Sequence, residues 1–561
     1  MERIGVQEPI AGVVYQDKSR LKGYVEAGVL TNETLVSAFR ATARRFPQRI
    51  ALSDGVVSST YGEFDEITDR LAAALLRLGL APKDPVLFQL PNNREVVIAT
   101  IACLKAGLIP ICTLLAHRKI EISQIGRQAG ARAHIVPADD PRFDFLEFSA
   151  QMRQEIPSLD VTIAVGGRSD PEKRVHDLDA LIAGITGEAA ARELSAITLD
   201  PFQVAFYQLS GGTTNVPKII PRFHNEYLYS MRSVVAFHGL DETTVAYTPS
   251  PMMHNAPALC VWGPALFFGG EVVVCPSLDA VAIGPVLAAR KPNWMIFPPA
   301  ILFRLKESEW FAKCDFSKAK GFLVTSGAEK FSALVDGGAA WPLFGMTEGL
   351  VAFCNASDST EARNTTVGRP ASPFDEIKII DPDSGREVAK GEIGEFAVRG
   401  PSAISGYFDS EERNREVFTT DGFYRSGDLM KVRTVAGRDY LVFEGRLKDV
   451  VSRGGEKINC AEVENVAIDH PAIGAIAIVA MPDGVYGERA CAFVIPVGNE
   501  RVSVAELGTF LGDKGLAKFK WPERIEFVAD FPLTSSGKLS KPMLRELAAS
   551  LVERVASDAA Q

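Results

Sequence analysis

The sequence predicts an α/β protein of at least two domains, and three observations carry that prediction. Helix-like and strand-like patterns alternate through about the first 430 residues. At 561 residues the chain exceeds what one hydrophobic core can serve. After Gly400 the texture changes: a turn-rich stretch, DGFYRSGDL, leads into Tyr440–Glu444 and the charged run GRLKDVVSRGGEKIN.

The elements follow in order. Phe64–Leu80 carries apolar residues at helical spacing and stops at a glycine. Pro85–Leu90, Ala133–Pro137, Val161–Val165 and Glu271–Val274 are short β-rich runs, apolar enough to be sheet strands buried on both faces. Val97–Leu115 is the most membrane-like stretch, but Lys105, Gly107 and Pro110 break it into a buried helix followed by a strand. The residues beyond the charged run form a compact α+β unit ending in a helix over Lys541–Ala556. The boundary is placed at Gly445–Asp449, giving domains 1–445 and 446–561.

Composition excludes several function classes. A 47% apolar and 23% charged make-up is that of a soluble globular protein, and a net charge of -10 argues against nucleic-acid binding, which needs a basic face. Eight scattered cysteines without a C-x-x-C pair suit neither a zinc site nor a disulfide framework. The N-terminus lacks the apolar core of a secretory signal, so reduced thiols and a cytoplasmic location are expected.

Residues 208–218, QLSGGTTNVPK, bring small residues (Ser210, Gly211, Gly212, Thr213, Thr214) and a cation (Lys218) together. Such a run lets backbone N–H groups approach an anion closely, although it also suits a plain surface turn. It is neither G-x-x-x-x-G-K-[ST] nor G-x-G-x-x-G. What singles it out is company: FGMTEG (344–349), YRSGD (424–428), GRLKD (445–449) and SSGKLSK (535–541) follow in that order. With these five motifs the chain, from about residue 30 to 550, resembles the adenylate-forming superfamily of acyl-CoA synthetases, peptide-synthetase adenylation domains and luciferases.

That resemblance implies a large N-terminal domain of α/β layers with packed sheets and a small mobile α+β C-terminal domain. It implies ATP and Mg²⁺ as cofactors and attack of a carboxylate on the α-phosphorus, catalysed by fixed cations and donors. Thr213, Thr214 and Lys218 would hold the β- and γ-phosphates, Thr347 the α-phosphate, and Glu348 the Mg²⁺, a hard cation that prefers carboxylate oxygen. Asp428 would bind the ribose, with Arg446 as a second contact, and Gly327, Ala328 and Glu329 would line the adenine pocket. Lys538 would bridge the acid's carboxylate and the α-phosphate, with Lys541 a bystander. Lys448 would be the hinge that exchanges adenylation for thioester formation, bringing Gly454 and Gly455 toward the reacting carbon.

The segment PMMHNAPALC (251–260) looks most like that of the free-standing aryl-acid-activating enzymes. There Asn255 would hydrogen-bond a hydroxyl ortho to the carboxylate, and His254 would gate the pocket. Cys260 stands where salicylate enzymes tend to carry Cys and dihydroxybenzoate enzymes Ser; Leu343 and Ala352 are assigned to the same pocket. Ala256 and Ala352 replace an aromatic and an Asn, which leaves room for a bulkier or alicyclic acid. The expected acceptor is the thiol of coenzyme A; a carrier protein's phosphopantetheine is the alternative, since the motifs do not separate the two. A catalytically silent binding protein of the same fold is a second alternative, against which the joint presence of Lys218, Glu348, Asp428 and Lys538 speaks. The partners expected are a small carboxylic acid and the thiol donor, with no nucleic acid and no membrane span.

Overall fold

The computed structural model describes residues 4–210, 217–325, 328–335, 340–453, 456–534 and 538–559. Its contacts divide into two compact units: residues 1–376, 398–424 and 435–440, and residues 377–397, 425–434 and 441–561.

The first unit holds two large sheets. In the seven-stranded sheet the strands run Val175–Asp177, Val161–Val165, Ala133–Pro137, Pro85–Phe88, Ile109–Ile111, Val204–Leu209 and Ile219–Phe223. The pairs are parallel up to Val204–Leu209, which closes with Ile219–Phe223 as an antiparallel pair. Every residue of Pro85–Phe88 and Val204–Leu209 is buried, as strands covered on both faces require. The nine-stranded sheet places Trp294–Ile296, Gly321–Val324 and Ala340–Gly345 side by side and parallel, then turns antiparallel through Val351–Phe353. One apolar cluster joins residues of both sheets, Phe88 and Phe206 with Ala246, Trp294 and Leu323.

The helix expected over Phe64–Leu80 is Tyr61–Arg77, started by a Thr60–Glu63 capping box and followed by Gly79 at positive φ. Val97–Leu115 resolves into the helix Arg94–Lys105 and the strand Ile109–Ile111. Lys105 is buried there and paired with Asp65 and, at 2.7 Å, with Asp69, so its charge is answered inside the protein. Among the described residues no helix is long and apolar enough to cross a membrane.

The second unit is built on the long hairpin Ile473–Asp483/Gly487–Pro496. Its alternate residues face two cores. Ile478, Ala490, Ala492 and Val494 pack with Val463, Leu507 and Leu511 of the helices Cys460–Ala467 and Val504–Asp513. Ala477, Val479, Cys491 and Phe493 pack with Leu544 and Ala548 of the helix Lys541–Ala559. Residues 377–397, 425–434 and 441–445, expected in the N-terminal domain, group with this unit. The reason is a four-stranded sheet, Glu376–Ile380, Gly394–Arg399, Tyr424–Val435 and Arg438–Arg446, whose ladders tie these segments together and lead into residue 447.

Candidate active site

In the first unit, Ser210 and Lys218 pinch the two ends of the glycine-rich loop. Ser210 N–H donates to the Lys218 carbonyl and Lys218 N–H donates to Ser210 Oγ, both at 2.9 Å. Gly211, Gly212, Thr213 and Thr214 lie outside the described residues. The Lys218 ammonium stands 5.3 Å from the ring centre of Tyr407. Its pKa is held below the usual lysine value by burial first and then by Arg413, against the pull of Glu348 and Glu416.

Thr347 and Glu348 lie in the turn between the strands Ala340–Gly345 and Val351–Phe353, and both are buried. The Thr347 carbonyl accepts from Arg222 Nη1 at 2.6 Å, and the Glu348 carbonyl accepts from Ile404 N–H at 2.8 Å. Arg222 is fully buried; it also donates to the Glu226 carboxylate (Nε–Oε2 3.0 Å) and to the Ser402 carbonyl at 3.2 Å. The Tyr407 hydroxyl donates to Glu348 Oε1 at 2.7 Å and lies 2.9 Å from the Tyr424 hydroxyl. Burial, with Glu348 and Tyr424 beside it, pushes the Tyr407 pKa far up, so this phenol stays a donor. No group of three or more His, Cys, Asp and Glu that could hold a metal occurs among the described residues. A single carboxylate steadied by a phenol fits Mg²⁺ that arrives with its phosphates, since that ion takes few protein ligands.

The segment Pro251–Cys260 turns into a short helix, Asn255–Pro257, and then a π-helical turn, Ala258–Trp262, of a kind frequent at functional sites. His254 holds the N-cap position of that helix. Asn255 is 4% exposed, and its Oδ1 accepts from the Tyr227 hydroxyl at 2.9 Å. Cys260 is fully buried, which drives its thiol pKa up, and its carbonyl accepts from Trp294 Nε1 at 2.7 Å. A thiol so buried behaves as a small hydrophobe of low reactivity.

The register separates two residues that the sequence assigned to one pocket. Leu343 pairs with Phe353 and Phe344 with Ala352, so Leu343 and Ala352 project from opposite faces of the ladder. Val351, opposite Gly345, shares the face of Leu343 and belongs with it to the apolar cluster that holds Cys260. Gly327 lies outside the described residues; Ala328 opens the helix Ala328–Leu334 and is buried, while Glu329 is exposed.

In the second unit Asp428, on the strand Tyr424–Val435, is buried, and Arg446 Nε donates to its Oδ1 at 3.1 Å. Lys538 closes its own loop: its N–H donates to Thr534 Oγ1 at 3.1 Å, and its carbonyl accepts from Thr534 N–H at 2.7 Å. Desolvation, then Arg446, holds the Lys538 pKa below the usual lysine value, while Asp428 raises it. By surface area the residue is exposed, and an exposed ammonium stays protonated at neutral pH. Lys448 sits in the 3₁₀ turn Leu447–Asp449, where Arg545 donates to its carbonyl at 3.4 Å and to Asp449 Oδ1 at 2.8 Å. Lys541 pairs with Glu464 at 2.7 Å, the two side chains 14% and 17% exposed, which gives it a structural task. Gly454 and Gly455 lie outside the described residues.

A family described as "AMP-binding enzyme" matches residues 39–408, and its C-terminal domain matches residues 462–538. The chain belongs to the AMP-binding enzyme family. The chain is 37% identical over 533 residues to a 2,3-dihydroxybenzoate-AMP ligase of Bacillus subtilis, covering 93% of this chain and 95% of that one. It is 33% identical to a salicylyl-CoA synthase / salicylate adenylyltransferase of Streptomyces, over 96% and 97% of the two chains. The apo structure of Mycobacterium smegmatis MbtA superposes with a TM-score of 0.71 at 31% identity, over 96% of this chain and 99% of that one.

In this AMP-binding enzyme the residues that sequence reasoning missed are those that hold the motif residues. Tyr407 fixes Glu348, Arg222 fixes the Thr347 carbonyl, and Tyr227 fixes Asn255. They come from 59, 125 and 28 positions away, and none stands in a motif that names its partner. Arg222 gives one faint signal, an arginine inside an otherwise apolar strand run, IIPRF.

Proposed function

We propose that this enzyme activates an aryl carboxylic acid bearing an ortho oxygen as its acyl-adenylate and then passes the acyl group to a phosphopantetheine thiol. The observation that carries the reading is Asn255: a nearly buried amide whose oxygen is already engaged by Tyr227, leaving its NH₂ to meet a substrate oxygen.

The acid's carboxylate oxygen bonds to the α-phosphorus as the bond to the β-phosphate bridging oxygen breaks and pyrophosphate leaves. Lys218, with Thr213 and Thr214, takes the charge gathering on the departing phosphates. Thr347 meets the α-phosphate, on a turn that Arg222 and Ile404 hold in place. Glu348 would hold Mg²⁺, which would supply charge neutralisation at the phosphates. Asp428 accepts from the ribose hydroxyls while Arg446 orients it, and Ala328 and Glu329 flank the base. Lys538 steadies the carboxylate and the α-phosphate in this half-reaction only. Lys448 is the position whose backbone turns when the enzyme moves to the second half-reaction.

For the acceptor, the Bacillus relative is named for the adenylate alone, and the Streptomyces relative for both the coenzyme A ester and the adenylate. The higher identity to the former favours a carrier-borne phosphopantetheine, with coenzyme A as the second reading. The test is pyrophosphate exchange driven by salicylate, 2,3-dihydroxybenzoate, benzoate and cyclohexane carboxylate, followed by transfer to coenzyme A and to a phosphopantetheinylated aryl carrier domain. The reading expects exchange with the ortho-hydroxy acids and faster transfer to the carrier. Exchange only with the saturated acid, or with none, would sink it.

A further inference from the structure

Tyr227 stands at the centre of a buried polar relay. Its hydroxyl accepts from Gln208 Nε2 at 3.4 Å and donates to Asn255 Oδ1 at 2.9 Å. All three residues are at most 4% exposed. The ring is clamped: the Arg222 guanidinium lies 5.1 Å over it, and Phe206 packs at 5.4 Å on a tilted plane. A hydroxyl has one proton to give. Once it is given to Oδ1, the amide of Asn255 is fixed end for end, and only Nδ2 remains to face a substrate. Nδ2 has no other partner among the described residues.

We infer that Tyr227 is a positioning residue that makes the acid pocket a reader of hydrogen-bond polarity, admitting an ortho acceptor oxygen and rejecting an ortho amine. The inference rests on the reading of Asn255 as acid-facing and deepens it. The ring chemistry supplies the contrast. In a 2-hydroxybenzoate the phenol proton turns inward to the carboxylate, so the oxygen lone pairs point outward and accept from Nδ2. In a 2-aminobenzoate one N–H turns inward and the other points outward, with the nitrogen lone pair delocalised into the ring. Two donors then face each other, and a buried donor is left unpaired. A site built to pair one polarity rejects the other more sharply than shape alone allows.

The experiment compares kcat/KM for adenylation of salicylate, anthranilate and benzoate in the wild type, Asn255→Asp and Tyr227→Phe. Asn255→Asp keeps the volume and still accepts from Tyr227, but it presents an acceptor to the ring. The wild type is expected to prefer salicylate over anthranilate by about tenfold to a hundredfold. Asn255→Asp should invert that order, and Tyr227→Phe should bring the ratio to within about threefold of unity while the KM for ATP holds. Ratios between near-isosteric acids within one protein cancel any general loss of folding. If Tyr227→Phe does not fold, Asn255→Asp alone decides, because a pocket that presented Oδ1 would be indifferent to it. A wild type that treats all three acids alike overturns the acid-facing reading of Asn255 itself. A wild type that discriminates, with both variants keeping its ratio, overturns only the positioning role of Tyr227.

Discussion

Two buried polar side chains, Glu348 and Asn255, each take a hydrogen bond from a tyrosine hydroxyl, Tyr407 at 2.7 Å and Tyr227 at 2.9 Å. Their surroundings differ. Glu348 sits in a mesh of charge and backbone: Ile404 on its carbonyl, Arg222 on the neighbouring Thr347, and Lys218 within electrostatic reach. Asn255 is neutral and leads into a π-helical turn packed in an apolar cluster with Cys260, Met252 and Met253. The first arrangement suits a group that must meet the same triphosphate in every turnover; the second suits a group that reads one substituent. Losing a partner at Glu348 should therefore slow all acids alike, whereas losing one at Asn255 should change which acid is preferred.

The largest expected effect lies on the common chemistry. Lys538→Ala should cut adenylate formation by about a hundredfold to a thousandfold for every acid, the range for removing one preorganised electrostatic group. Thioester formation from supplied acyl-adenylate should survive, and single-turnover assays of the two halves read this directly. Equal loss in both would remove Lys538 from the first half-reaction. Next is Lys448→Pro, which fixes φ in the 3₁₀ turn before residue 450. Pyrophosphate release should stay within about threefold and thioester formation should fall by about tenfold or more, if gating sets turnover. Full turnover would place the hinge elsewhere.

A smaller effect should appear in stability against pH. Asp375 accepts from Ser402 N–H at 3.3 Å, and burial pushes its carboxyl up to about 7. A folded pKa above the unfolded one means that the folded state binds the extra proton. The penalty is absent below about pH 4, grows as pH rises toward 7, and is then constant. Asp375→Asn should flatten the fall in Tm between pH 4 and 7 and raise Tm at pH 8. An unchanged pH profile would show that Asp375 ionises freely.

What the sequence made legible follows the same division. Lys218, Glu348, Asp428 and Lys538 stand out in the sequence because each sits in a short motif, as Glu348 does in FGMTEG; their roles toward nucleotide and acid are the proposal made above. Their supports do not stand out, because Tyr407 and Arg222 reach them only after the chain has folded back. Ala352 shows a second limit: strand side chains alternate, so the face a motif residue takes is set by a register that the motif does not carry. The helix Tyr61–Arg77 was readable from its period, and Val97–Leu115 from the charge of Lys105, which Asp65 and Asp69 answer. The grouping of residues 377–397 and 425–434 with the C-terminal unit was not, since ladder partners leave no composition signal.

The contrast between the two tyrosine-held groups is tested most directly by measuring kcat/KM for salicylate and benzoate in the wild type, Tyr407→Phe and Asn255→Ala. Tyr407→Phe should lower both acids by the same factor, about tenfold, and leave their ratio untouched. Asn255→Ala should erase a salicylate preference worth about tenfold to a hundredfold while benzoate changes little. A ratio that moves in Tyr407→Phe and holds in Asn255→Ala would contradict the account.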